Sequence, residues 1–327
     1  MSAVGPVAAV VISWNGGEEL KSAVASLRNQ SLAPAEVVVV DNGSVDGSAE
    51  WLGEQPDLRL LRNSRNLGFA VAANQGIRAT TQPQVLLCNQ DLLLDPDFLA
   101  AACARMERDP EIGSVGGRLR REGLLDTTGH LLHRSGWVSN RGSGEPDDQR
   151  YPTAEEVFGV SAAAVLYRRA MLEDVALSGE IFCESFFAYL EDVDLDFRAR
   201  WRGWRAWYEP AATAAHRRGG SGLHRTAAIE RHVLANRALV LVRNAPQSWW
   251  SWRRALQVGS FLGLRLGLAL RRHPLAVLGA LDAARGLAGA RAARRQIMAR
   301  RSAGDPDLDR WARATPWRTL LRARRPS

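Results

Sequence analysis

An α/β fold is predicted, with a mainly parallel sheet, helices on both faces and a C-terminal helical extension. Three observations carry it. Short apolar runs alternate with amphipathic stretches over the first hundred or so residues, polar clusters sit where the runs end, and the chain reads as helical throughout after Leu223. Residues 7–13 form the first expected strand, and 18–30 a helix with Leu20, Val24 and Leu27 on one face. The run EVVVVD at 36–41 is a β-branched strand, 46–52 a short helix, 58–62 a strand, 69–79 a helix, 84–89 a strand and 97–108 a helix. Strands separated by helices of this length imply right-handed crossovers and parallel pairing. Ligands of such sheets bind at the carboxyl ends of the strands.

Beyond residue 110 the pattern loosens. The stretch 139–150, with almost no apolar content, is expected to be a mobile surface loop; 157–167 reads as a buried strand followed by a helix from Arg169, 191–202 as a helix and 204–208 as a short strand. Breaks in the helical extension fall at Pro246 and at His273-Pro274.

Composition bounds the function. The 327 residues are 46% hydrophobic and 24% charged, which excludes collagen-like, wholly disordered and disulfide-scaffold classes. Cys88, Cys103 and Cys183 are widely spaced, which argues against a disulfide framework or structural zinc and for a reducing cytoplasmic setting. The start lacks a basic segment ahead of its apolar run, so 7–12 reads as a strand rather than a signal peptide. The net charge of +8 conceals a split. Residues 243–327 hold 18 of the 43 basic and 4 of the 35 acidic side chains, a surplus of 14, and the remainder is acidic by 6.

Chemistry concentrates at the strand ends. Asp41, closing the valine strand ahead of Asn42-Gly43-Ser44, offers a carboxylate to a base N–H or a ribose hydroxyl, although an Asx turn before the helix at Asp46 is the plainer reading of that piece alone. Asn66-Leu67-Gly68, with Asn74 further on, is a small-residue turn opening a helix, where a diphosphate can approach. Asn89-Gln90-Asp91 presents oxygen donors for a divalent cation, unless Asp91 and Asp95 merely cap the next helix. Glu191-Asp192-Val193-Asp194-Leu195-Asp196 lies in too apolar a setting for a solvated acidic face, and a carboxylate there is a candidate general base. On a helix Asp192 and Asp196 share a face and Asp194 points away. His216 precedes Arg217, Arg218 and a Gly-Gly-Ser-Gly loop, the ingredients of a phosphate lid; His130, His133, His224, His232 and His273 are given no role.

In this order the motifs resemble the inverting family 2 glycosyltransferases of the GT-A fold, especially the rhamnosyltransferase-like branch. The matching stretches are VVISWNG (10–16), VVVVDNGSVDGS (37–48), NLGFAVAANQGIR (66–78), LLCNQDLLLDPD (86–97), FFAYLEDVDLDFRARWRGW (186–204) and AHRRGGSG from Ala215. The resemblance spans about residues 7–225 and implies a GT-A, Rossmann-like catalytic domain over 1–225. A helical, membrane-surface region over 226–300 and a flexible basic tail over 301–327 complete the expected organisation. It further implies that Asp41, with Asn42 and Asn66, binds the nucleoside of a nucleoside diphosphate sugar, and that Gly68, Asn74, Asn89 and Asp91 complete the donor site. Asp91 and His216 would hold Mg²⁺ or Mn²⁺. Asp192 would be the catalytic base with Glu191 in support. Asn89 departs from the family's DxD pattern and leaves one carboxylate where the pattern has two.

The donor suggested by the branch is dTDP-rhamnose, with galactofuranose, mannose and N-acetylglucosamine donors as alternatives. The acceptor is a cell-envelope glycan or lipid-linked glycan. Two other readings compete. A sugar nucleotidyltransferase would carry cations in the loop after the first strand, where Ser13-Trp14-Asn15-Gly16-Gly17 has none. A non-catalytic nucleotide-sugar-binding or scaffolding protein gains weight from Asn89 and loses it from Glu191, Asp192 and His216.

In the extension, 255–270 and 275–290 are each 16 apolar-rich residues interrupted by charge, too short to span a bilayer. Tryptophans 249, 250 and 252 followed by Arg253 and Arg254 fit an anionic membrane surface at the inner face of the cell membrane. Packing on the catalytic domain or in a homo-oligomer is the competing reading, and nucleic acid is disfavoured because no recognition motif accompanies the charge.

Overall fold

The computed structural model describes residues 5–148, 150–217 and 226–317. Its first half alternates as expected: β1 (Val7–Ser13), α1 (Gly17–Arg28), β2 (Glu36–Asp41), α2 (Ser48–Gly53), β3 (Arg59–Arg62), α3 (Phe69–Arg78) and β4 (Gln84–Asn89). These four strands pair in parallel in the order β3-β2-β1-β4. Alternate side chains of each strand point to opposite faces. Thus Val39 and Val11 meet Leu20, Val24 and Leu27 of α1, whereas Val38, Val40 and Val10 meet Ala70, Ala73 and Ile77 of α3.

The second half extends this sheet. After β5 (Leu92–Leu94), α4 (Phe98–Met106), β6 (Ile112–Arg121), β7 (Leu124–Thr127), β8 (His130–Leu132), β9 (Val138–Asn140) and β10 (Glu155–Val157) come β11 (Ala164–Arg168), α5 (Arg169–Val175), α6 (Glu191–Trp201) and β12 (Arg205–His216). The sheet runs β10-β12-β6-β11-β4 and onward into the parallel half, with β11 antiparallel to both its neighbours. The single strand expected over 157–167 is therefore two. Residues 158–163 between them leave the sheet and turn their backbone amides toward α6: Val160 N donates to Asp196 and Ala162 N to Asp192. The strand expected over 204–208 continues to His216, delivering that imidazole to the site.

The segment expected to be a mobile loop is pinned instead. Arg141 is buried, its guanidinium 4.6 Å from the Tyr151 ring and 4.9 Å from the Tyr208 ring, and Arg118 pairs with Asp147. Polarity alone marked 139–150 as loop, but a planar guanidinium stacks on aromatic faces and so holds a polar turn.

The extension comprises α7 (Ala227–Asn244), α8 (Trp252–Arg272), α9 (Leu278–Arg300) and α10 (Asp305–Asp309). It shares a core with α6, in which Val193, Phe197 and Trp201 pack with Leu239, Val240, Trp249, Ile297 and Leu308. Asp194 is buried in the same seam, accepting from Arg198 Nε at 2.9 Å, Arg243 Nε at 2.6 Å and Asn244 Nδ2 at 2.7 Å. Burial alone would raise this carboxyl, but Arg243 and Arg198 outweigh it and bring its pKa down to about 2. Residues 301–317 correct the expected flexible tail. Ser302 and Ala303 donate backbone bonds to Trp201 O at 2.9 and 3.0 Å, and Arg313 exchanges backbone bonds with Leu132 and Arg134. Leu308 and Ala312 are buried, which holds a basic segment that charge counting alone assigns to solvent. Residues 318–327 lie outside the described residues. Among the described residues, no helix is long and apolar enough to cross a membrane.

Candidate active site

Parallel register brings the donor residues into line. Ser13 on β1 faces Asp41 on β2, and Ile12 faces Asn89 on β4, so the expected polar clusters share one sheet edge. Asp41 is fully buried. Its Oδ1 accepts from Ser44 N at 3.2 Å, while Oδ2 lies 3.8 Å from Arg62 and has no hydrogen-bond partner among the described residues. A buried carboxylate oxygen without a donor is costly, and a ligand N–H or hydroxyl would relieve that cost. Gln90 locks the neighbouring turn: its Oε1 accepts from Ser13 Oγ at 2.9 Å and Trp14 N at 2.7 Å, and its Nε2 donates to Trp14 O at 3.0 Å.

The other predicted donor residues divide by what already uses them. Asn42 donates to Asn66 Oδ1 and Gly68 O and accepts from Asn63 and Leu67 N, so it braces the wall of the cleft. Asn66 Oδ1 also accepts from Gly68 N at 2.8 Å. Gly68 has φ +91°, and a Cβ there would sit 2.6 Å from the Phe187 carbonyl, so the close approach that requires glycine is to Phe187. Asn74 is buried and clamps the chain before α6, donating to Phe182 O and Glu184 and accepting from Phe182 N. Asn74 thus works as an anchor away from the strand ends.

At the cation end, His216 Nε2 lies 3.4 Å from Asp91 Oδ1, and His216 Nδ1 pairs with Asp126 Oδ2 at 2.8 Å. Asp126, on β7, is 90 residues from His216 and was not singled out by sequence. With Nδ1 occupied, Nε2 is the atom presented to Asp91, which is how a ligating histidine is held in its working tautomer. Burial pushes the imidazole pKa down, but Asp126 and Asp91 more than offset this and raise it. No cluster of three or more His, Cys, Asp or Glu among the described residues forms a complete cation cage. Asp91 and His216 bring together two donor types, one hard oxygen and one imidazole, a partial set compatible with a divalent cation. Arg217 is tied by its backbone to Asp91 O at 3.0 Å, and the rest of the expected phosphate lid, residues 218–225, lies outside the described residues.

The acidic run on α6 separates into three environments. Asp194 is consumed by the arginine seam. Asp196 is buried, bonded to His130 Nδ1 at 2.7 Å and to Val160 N at 3.3 Å, in a space kept open by Gly159, where a Cβ would fall 1.8 Å from Asp196 Oδ2. Asp192 keeps 17% of its side chain exposed, the most of the three. Its Oδ2 accepts from Ala162 N at 3.2 Å, and the adjacent Ala163 O accepts from Asn89 N at 2.9 Å, so α6 and the end of β4 grip the same short turn. Glu191 is buried, and burial together with the charge of Asp192 raises its carboxyl well above the ordinary range. Before it, Phe187, Tyr189 and Leu190 all have positive φ, and Asn236 of α7 donates to the carbonyls of Phe186, Ala188 and Tyr189.

The sequence model of Glycosyl transferase family 2 matches residues 8–176. The chain belongs to glycosyltransferase family 2. An N-acetylglucosaminyl-diphospho-decaprenol L-rhamnosyltransferase of Mycobacterium tuberculosis is 27% identical over 293 residues, covering 81% of this chain and 91% of that relative. A poly-beta-1,6-N-acetyl-D-glucosamine synthase of Staphylococcus aureus is 22% identical over 61% of this chain and 47% of its own length. Two solved structures share the fold. The crystal structure of GalNAc-T7 with UDP, GalNAc and Mn²⁺ has TM-score 0.59 at 15% identity, over 74% of this chain and 48% of that one. The mannosyltransferase PcManGT from Pyrobaculum calidifontis, in complex with GDP-Man and Mn²⁺, has TM-score 0.54 at 18% identity, over 91% and 86%.

This family 2 glycosyltransferase therefore has the GT-A fold that its motifs imply. Three residues that sequence reasoning passed over stand beside the expected ones: Gln90, Asp126 and His130. The last two belong to one turn, Asp126-Thr127-Thr128-Gly129-His130, which reaches the cation end with its first residue and α6 with its last.

Proposed function

We propose that this enzyme transfers a sugar, L-rhamnose first, from a nucleoside diphosphate donor to a lipid-linked or cell-envelope glycan with inversion at the anomeric carbon. The observation that carries the base assignment is that Asp192 alone of the three α6 aspartates is neither enclosed nor spent on an arginine or histidine hydrogen bond, and it adjoins the end of β4. The rhamnose reading rests on the rhamnosyltransferase relative, whose length is matched almost throughout.

In this mechanism Asp41 receives the nucleoside, against a wall built by Asn42, Asn66 and Gly68. Asn89 and Asp91 face the diphosphate. Asp91 and His216 would hold a divalent cation, Mg²⁺ or Mn²⁺, which would supply positive charge against the leaving diphosphate. Asp192 accepts the proton of the acceptor hydroxyl as that oxygen bonds to the anomeric carbon and the bond to the diphosphate breaks. Glu191, buried beside Asp192 with its carboxyl raised well above the ordinary range by burial and by that neighbour's charge, stands in support of the base.

The extension supports an acceptor held at a membrane surface. Trp252 is 73% exposed, Leu275 65%, Leu256 64% and Leu281 51%, close in sequence to Arg253 and Arg285. Exposed indole and leucine beside arginine suit the headgroup region of anionic phospholipid on the cytoplasmic side. A screen of nucleoside diphosphate sugars by nucleotide release tests the donor: release from dTDP-rhamnose above the other donors supports the reading, and preference for another sugar replaces it. Donor binding with no release from any donor, with or without acceptor, would favour a non-catalytic binder.

A further inference from the structure

His130 carries no role in the family motifs, yet it sits where the base is controlled. It is buried, with Nδ1 2.7 Å from Asp196 Oδ2 and Nε2 3.9 Å from Asp192 Oδ2. The first distance is a charge-assisted hydrogen bond and the second is a charge contact beyond hydrogen-bond range. Its backbone is fixed as well, since His130 N donates to Gly159 O at 2.8 Å, and Gly159 is the residue whose missing side chain makes room for Asp196. Asp192 and Asp196 are one helical turn apart on the same face of α6, so a single imidazole spans both.

Building on the assignment of Asp192 as base, we propose that His130 is a positioning residue for the transfer: clamped at Nδ1 by Asp196, it presents an Nε2–H and its positive charge to Asp192 and orients that carboxylate for the acceptor hydroxyl. The charged groups around it are consistent with this. From α6, Asp192 and Asp196 face it, and from β11 the Tyr167 hydroxyl lies in the field of the same carboxylates; Glu191 and Arg200 act on those aspartates in turn. Burial disfavours a charged imidazole, but the Asp196 bond and the two aspartate charges outweigh it and raise the His130 pKa. The Ala162 amide and His130 thus approach the same oxygen of Asp192 from the protein side.

The test is the pH profile of the full-length enzyme. His130→Gln removes the charge while keeping an amide donor. The acid limb of its kcat/KM profile is expected to move up by about one pH unit, because an opposite charge nearby holds a carboxylate ionised. Turnover on the acid limb should therefore fall about tenfold, with recovery as the pH rises past it. Binding of a nucleoside diphosphate with Mn²⁺, measured by calorimetry, should change less than about twofold. Asp196→Asn should give the same displacement in smaller measure, and it decides the matter if His130→Gln does not fold. A folded variant whose profile superimposes on the wild type overturns the proposal. Should neither variant fold, the imidazole ¹H–¹⁵N spectrum of the wild type decides, with a doubly protonated His130 ring at neutral pH supporting the proposal and a singly protonated one overturning it. Failure of the base reading looks different: Asp192→Asn would then turn over normally, whatever His130 does.

Discussion

The two ends of the candidate site are built alike around a histidine held by a carboxylate. At one end Asp126 holds His216 at 2.8 Å and Nε2 faces Asp91; at the other Asp196 holds His130 at 2.7 Å and Nε2 faces Asp192. They differ in spacing: Nε2 stands 3.4 Å from Asp91 at the first and 3.9 Å from Asp192 at the second, and the two carboxylates keep 14% and 17% of their side chains exposed. On the proposed reading, the same pair of residue types prepares a ligand at one end and a base at the other, according to what lies beyond Nε2.

The largest expected effect breaks the base end alone. Asp192→Asn should lower turnover by about 10²–10⁴ while donor binding persists; unchanged turnover in a stopped nucleotide-release assay would remove Asp192 from the mechanism. Next comes the third aspartate, which belongs to neither end. Asp194→Asn leaves Arg198 and Arg243 buried with one charge fewer and should cost about 3–5 kcal/mol in denaturant unfolding. The same group gives a pH signature. Its folded pKa of about 2 lies below its ordinary value of 3.8, so its stabilisation is complete above about pH 4 and is lost as pH falls toward about 2. An acid unfolding curve that Asp194→Asn does not alter would contradict the seam.

Smaller again is the cation end. Asp126→Asn should weaken Mn²⁺-dependent donor binding by about 10–100-fold through loss of His216 orientation, with the acid limb of the rate profile unmoved. Calorimetry showing equal binding would separate the two ends less cleanly than the distances suggest. The mildest effect lies far from both. Replacing Trp252 and Leu256 with serine should reduce sedimentation with anionic vesicles at low salt and leave release from soluble donor intact; vesicle binding that persists in high salt and in this variant would argue for packing against protein instead.

Much of the fold was legible in the chain. The parallel half followed from runs such as Val37–Val40, whose alternating burial needs apolar residues on both faces, and the strand-end motifs followed from turn chemistry. Other features were hidden because they depend on partners distant in sequence. The polar loop around Arg141 is held by aromatic rings, and the tail at 301–317 is held by Trp201 and Leu132. Asn74 resembled a donor ligand by its motif and proved to be a clamp on Phe182 because α3 passes beside that segment.

Sequence alone determined the parallel half of the sheet, the line of polar strand ends and the presence of a carboxylate cluster on one helix, because periodicity and turn preferences are local. Only the tertiary structure decided what surrounds each carboxylate. Asp192, Asp194 and Asp196 are chemically identical and nearly adjacent, and they are distinguished by Ala162, Arg243 and His130, which lie 30 to 66 residues away. A carboxylate's role is set by the charges, donors and solvent within a few ångströms, and folding, not sequence order, brings those neighbours together.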